Sequence, residues 1–253
     1  SRLSESPSAL RSYEPSDVQT EMNLIRVSRA EAAKKEGLAA PPTNYRKQRR
    51  EAIYAAAAGS GLDDAERWQV AEEGQAVWEQ ARHDCAEKML DSQAVPALKS
   101  LRGQGFSLCA ITNGLGDTAA CPSLAPLFDF TLLAEGELKK PHPHGFQQAM
   151  ARYASGLPWV HVGDSLTDDV GGATLLGLRT IHLDPDKSND VAPEAWLQFR
   201  KEAEKTKAKE ARDVDRRAAA IGAESGPTAR IESLSELPQA VEEVLAMDAP
   251  SVQ

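Results

Sequence analysis

Two aspartates, Asp164 and Asp169, sit in the run Val160-His161-Val162-Gly163-Asp164-Ser165-Leu166-Thr167-Asp168-Asp169-Val170-Gly171-Gly172-Ala173. An apolar stretch that stops at Gly-Asp, followed by four residues and another aspartate, reads as a strand end running into a helix start. Asp164 then projects from the strand while Asp169 stands one turn away, so two carboxylates converge on one point, as a hard cation requires. An aspartate N-cap on an ordinary strand-to-helix turn accounts for only one of them.

Two further places have the right residue types. Thr112-Asn113-Gly114 ends an apolar run with a hydroxyl and free backbone N–H groups, a fit arrangement for a phosphate oxygen. In Lys139-Lys140-Pro141-His142-Pro143, Pro141 stiffens a loop and holds a lysine just before a helix. Taken singly, the first is a turn and the second a solvated lysine, because exposure is the default for lysine.

The elements that must position these groups alternate. From Val18 to about Leu90 the periodicity is helical, punctuated at Pro41-Pro42 and at Gly59-Ser60-Gly61, which predicts about three helices. From Ala94 onward a helix ending near Gly105 gives way to apolar runs at Phe106 to Ile111, Phe130 to Leu133, Trp159 to Val162, Arg179 to Leu183 and Ala229 to Ile231. Helical stretches fall at His144 to Ala154, Asp169 to Leu176 and Ser235 to Met247. Such alternation predicts an α/β fold with a parallel sheet, whose functional groups collect beyond the carboxyl ends of the strands. Thr112 and Asp164 both lie at such ends. The chain thus divides into an irregular segment at 1–16, a helical cap at 17–92 and an α/β core at 93–253.

In this order and with these separations, Thr112, Lys140 and the Asp164–Asp169 run resemble the second, third and fourth motifs of the haloacid dehalogenase (HAD)-like hydrolase superfamily. The wider chain is similar to the branch with a helical cap after the first motif, through Tyr45-Arg46, Trp78 to His83, Ile111 to Asp117, Ser123 to Asp129 and His161 to Leu183. The resemblance spans Asp17 to Leu183, resumes at Ala229, and implies a Rossmann-like core. It also implies roles: Thr112, with Asn113 beside it, holds phosphoryl oxygens, and Lys140 neutralises them and restrains the acidic cluster. Asp164 ligates magnesium, weakly, and Asp169 completes the magnesium shell or pairs with Lys140. No other cofactor is implied.

Such enzymes attack phosphorus with an aspartate, and a second aspartate two positions later acts as acid and then base. That first motif, Asp-x-Asp-x-Thr after an apolar strand, should precede the cap and is not found there. Asp17 is the only aspartate before Asp63, and its neighbour two positions on is Gln19. The expectation is a catalytically silent HAD-like scaffold acting as a structural or interaction subunit of a larger assembly. The alternative is a magnesium-dependent phosphomonoester hydrolase whose nucleophile lies upstream. The strand bearing the first motif would be central, between those ending at Thr112 and Asp164. Without it, direct pairing of these two is the least costly arrangement, with an extended segment from Ser1 to Ser16, upstream residues or a partner chain as other ways to fill the gap.

A second expectation of contact comes from Arg200 to Arg217, where 13 of 18 residues are charged and no apolar stripe is present. It lies within a predicted insertion at about 194–226. A helix polar on all sides is solvated or bridges to something else, so Arg200, Lys205, Lys209, Arg212 and Arg216 are candidate protein-partner contacts.

Charge and composition exclude other classes. Lys and Arg total 29 against 38 Asp and Glu, a net charge of −9, which disfavours nucleic acid and anionic membrane surfaces. No apolar run is long enough to span a bilayer. Three unevenly spaced cysteines, Cys85, Cys109 and Cys121, suggest neither a disulfide framework nor a metal site and point to a reducing, intracellular compartment. The Ser-rich start with Arg2 and Arg11 leaves cytoplasm, or an organelle after transit-peptide removal, as the expected locations. His142 and His144 lack a third ligand at zinc spacing and read as loop residues, while His161, His182 and Cys109 read as core or near-core groups.

Overall fold

The computed structural model describes residues 15–37, 44–114, 116–184 and 213–247. Its contacts divide the chain into two units, Ser1–Cys85 and Ala86–Gln253.

The first unit is helical: α1 (Pro15–Lys35), α2 (Tyr45–Ala56) and α3 (Asp64–Ala86). The helix starts are written locally. Asn44 caps α2 by accepting from the Lys47 amide at 2.9 Å. Ahead of α3, Asp63 and Glu66 exchange reciprocal bonds of 2.9 Å, a capping box. Gly59 and Gly61, both at positive φ, turn the chain between α2 and α3.

The second unit is α/β. Its elements are α4 (Ala94–Gly103), β1 (Cys109–Asn113), β2 (Phe130–Ala134), α5 (His144–Met150), β3 (Val160–Gly163), a π-helical turn (Leu166–Gly171) continued by the short α6 (Gly172–Thr174), β4 (Arg179–Leu183), α7 (Asp213–Glu224), β5 (Ala229–Ile231) and α8 (Leu237–Ala246). All strand pairs are parallel. β1 pairs with β2 from Cys109↔Phe130 to Asn113↔Ala134, and β4 lies between β3 and β5. One side of the β3–β4–β5 sheet is sealed by Ala97 and Leu101 of α4 and by Leu237, Val241 and Val244 of α8, packed with Ile181 and Ile231.

Two expectations are corrected. β1 and β3 do not pair: the described strands form two separate ladders, so each of these two strands has one edge without a ladder partner among the described residues. The physical reason is what stands between their ends. Lys140 is bonded to Asn113 at the end of β1 on one side and to Asp169 beyond β3 on the other. Below them α5 brings Gly145 against Ile111 and Phe146 edge-on to His161, with centroids 4.9 Å apart. The second correction is the helix expected at Asp169 to Leu176. It begins earlier, as a π turn, because Ser165 caps it by accepting from the Asp168 amide at 3.0 Å while its carbonyl accepts from Asp169 and Val170.

The segment 1–14 and residues 200–212 lie outside the described residues, and with them Arg200, Lys205, Lys209 and Arg212. Arg216 is exposed and pairs with Asp213 one turn earlier at 3.3 Å. Past Arg217 the same helix is not polar all round, since Ala218 and Gly222 are buried on one face.

Candidate functional site

β1 delivers Thr112 and Asn113 to its carboxyl end, and Asn113 clamps the next loop. Its Oδ1 accepts from the Lys140 amide at 2.7 Å, and its Nδ2 donates to the Lys140 carbonyl at 3.0 Å and to Asp168 Oδ2 at 3.3 Å. One amide side chain therefore registers the lysine loop against both the strand and the acidic turn. The Thr112 hydroxyl sits beside Gly116, where an added Cβ would be 3.0 Å from it.

Lys140 Nζ reaches Asp169 Oδ1 at 2.6 Å, a buried pair with side-chain exposures of 11% and 6%. Of the two roles implied for Asp169, this geometry shows the pairing one. The same oxygen meets His161 Nε2 at 2.9 Å, and Oδ2 accepts from the Ser165 amide at 3.1 Å. Burial pushes the Asp169 carboxyl up, but the His161 bond and the Lys140 charge outweigh it and hold the group below the usual carboxylate range. Burial lowers His161, against the opposing pull of Asp169. His161 is therefore neutral near pH 7, with Nε2–H donating to the carboxylate. Gly163 is required by close approach: a Cβ there would lie 2.2 Å from the Asp169 carboxyl carbon.

Asp164 is exposed at the end of β3, and its carbonyl is met by His182 Nε2 at 3.2 Å. Arg230 on β5 in turn approaches His182 Nδ1 at 3.4 Å, which fixes the tautomer that donates to Asp164. Among the described residues no group of three or more His, Cys, Asp or Glu side chains forms a metal cluster. The donor set nevertheless fits magnesium, which keeps several waters and takes only one or two carboxylates. Asp164 offers an exposed carboxylate, and Asp168 a second on the following turn.

The structure thus brings Thr112, Asn113, Lys140, Asp164 and Asp169 to one end of the strands. Sequence reasoning placed His161 and His182 in or near the core and missed their contacts. The signal for His161 was available: residues two apart on a strand share a face, so His161 lies on the same face as Gly163, which Asp169 covers. Cys109 is pushed up to about 11 by burial and is inert as a nucleophile.

The haloacid dehalogenase-like hydrolase family model matches residues 14–177. A glyceraldehyde 3-phosphate phosphatase from Methanopyrus kandleri is 30% identical over 105 residues, 39% of this chain and 45% of that protein, so the chain spans under half the length of this curated relative. Among solved structures, a 2-haloacid dehalogenase from Pseudomonas syringae pv. Tomato DC3000 superposes with a TM-score of 0.61 at 25% identity, covering 95% of this chain and 86% of that one. No described helix is long and apolar enough to cross a membrane.

Proposed function

This chain belongs to the haloacid dehalogenase-like hydrolases, and from that premise we propose that its described residues are the phosphate-facing half of a phosphomonoester hydrolase site, silent until an aspartate-bearing strand is seated between β1 and β3. The observation that carries the reading is the pair of open edges: among the described residues β1 and β3 each lack one ladder partner, yet their carboxyl ends are joined through Lys140. Unpaired backbone groups in a core cost on the order of 1 to 3 kcal/mol each, so these edges favour an added strand.

In the completed site Thr112 holds a phosphoryl oxygen and Lys140 neutralises the transferring group, its ammonium oriented by Asp169. Asn113 sets the height of the lysine loop. Asp164 would hold magnesium, which supplies charge neutralisation at phosphorus when bound. The acid–base proton has no carrier among these residues, because His161 is buried and committed to Asp169. The same open edges also support a second reading, a non-catalytic subunit whose sheet is completed by a strand from another protein.

The test compares p-nitrophenyl phosphate hydrolysis with magnesium by the chain as given and by the chain carrying an N-terminal apolar strand that ends in Asp-x-Asp. We expect no turnover from the first, turnover from the second, and loss of that turnover in Asp164→Asn. Magnesium-dependent turnover by the chain as given, abolished by Asp164→Asn, would overturn the proposal. Stable folding of the extended chain with no turnover would favour the subunit reading instead.

A further inference from the structure

The π turn that carries Asp168 and Asp169 is gripped at both ends by one helix. A Cβ added at Gly171, its last residue, would stand 2.1 Å from the Ala218 carbonyl oxygen and 3.0 Å from Ala218 Cα. A Cβ added at Gly222 would stand 2.3 Å from the carbonyl oxygen of Leu166, the first residue of the turn, and 3.7 Å from the Gly171 amide nitrogen. These are contacts of backbone with backbone, so no flexible side chain can yield. Ala218 is fully buried and Gly222 is buried. Four residues apart, they share one face of α7, and each presents its backbone to one end of the turn.

We propose that α7 is a positioning element for the acidic turn, with Ala218 and Gly222 as its positioning residues. A π turn closes its hydrogen bond over one more residue than an α-helix and is frequent at functional sites. Beside the first grip point Ser165 accepts the bonds that aim the acidic groups, Asp168 N–H to its Oγ and Asp169 N–H to its carbonyl. Separating α7 from the turn at either end frees its length and releases those bonds. What shifts α7 therefore shifts Asp168 and Asp169, although α7 contributes no side chain to the site. Only the magnesium arm of the test below rests on the phosphohydrolase reading.

The experiment is residue-resolved hydrogen exchange on the whole chain, comparing wild type with Gly222→Val, with Gly222→Ala as the milder displacement should the larger one not fold. Local opening free energies differ between parts of a fold. We expect exchange about tenfold or more faster at the Ser165, Asp168 and Asp169 amides, with the Ile181 and His182 amides of β4 changed by no more than about twofold. Ala219→Val, on the exposed face of α7, leaves all five unchanged. Equal acceleration at all five amides in the Gly222 variants would show simple destabilisation and overturn the proposal, as would no acceleration in either. In the second arm, magnesium chloride is titrated calorimetrically into wild type and Gly222→Ala. Weaker binding in the variant, with magnesium slowing exchange in α7 by reciprocity, supports the brace. Equal, measurable binding in both overturns it. Local acceleration in a chain that binds no magnesium upholds the brace and removes magnesium from the functional reading.

Discussion

Both units join their elements with ion pairs, but under opposite conditions of burial. In the helical unit, α2 meets α3 through the ion pairs Arg46–Glu79 at 2.8 Å and Arg50–Glu72 at 2.5 Å and a hydrogen bond donated by Arg49 to Gln75 at 3.4 Å, with the Arg49 guanidinium 3.4 Å from the Trp78 ring centre. The charged partners of this zipper are 24% to 58% exposed. The buried apolar cluster beside it is small: Ile53, Val70 and Ala71. In the α/β unit a broad apolar core carries the sheet, and among the described residues the pair with both side chains under 15% exposed, Lys140–Asp169, lies at the site. The first arrangement holds helices together and tolerates water. The second contributes little net stability for its desolvation.

That contrast breaks most visibly at Lys140. Lys140→Met leaves the Asp169 charge buried with His161 as its remaining side-chain partner and should cost about 3 to 5 kcal/mol in urea denaturation. Adding Asp169→Asn should recover most of the loss. A single variant as stable as wild type would mean the pair is not desolvated as described. Ile181→Ala, at the centre of the β3–β4–β5 sheet, should cost about 2 to 5 kcal/mol, with Ile53→Ala in the smaller helical cluster at the low end of that range. Reversal of that order would remove the distinction between the two units.

A smaller effect comes from pH. His161 is lowered in the folded chain, so below the ordinary histidine pKa of about 6.5 the unfolded chain takes up a proton that the folded one refuses. Stability therefore falls as pH drops from 7 toward 5, and His161→Gln should flatten that slope. Asp169 is lowered as well, so its share persists above the unfolded carboxylate pKa of about 3.9 and is lost only as pH falls through the lower folded value. Thermal melts across pH 3 to 8 measure the His161 slope, and an unchanged slope in His161→Gln would contradict the assignment. The smallest effect is Arg46→Ala, under about 1 kcal/mol and fading with added salt, because half-exposed pairs are screened.

Much of this was legible in the chain. The parallel ladders fall within a few residues of the apolar runs, since strand and helix periodicities differ and each run ends in polar or glycine residues. The contact of Lys140 with Asp169 was implied only by the resemblance to the haloacid dehalogenase-like hydrolases, as one of two roles for Asp169, because Lys140 read alone is a solvated loop lysine. The π turn was not legible, because its extra residue is imposed by packing: the glycines at 171 and 222 mark a close approach, but their partners are distant in sequence. The segment Arg200 to Arg217 was read by charge alone, which hides the small buried face that begins at Ala218. Direct pairing of β1 with β3 was expected from the cost of open edges, without weighing the lysine loop that stands between their ends.

The central proposal, that the edges of β1 and β3 with no ladder partner among the described residues take an added strand, is tested most directly by amide exchange along 109–113 and 160–163. Parallel strands bond to alternate sides, so each should show protected amides alternating with amides exchanging at least about a hundredfold faster, and an N-terminal apolar strand ending in Asp-x-Asp should protect the fast set. Uniformly slow exchange along both strands of the chain as given would contradict the account, because the edges would already be covered.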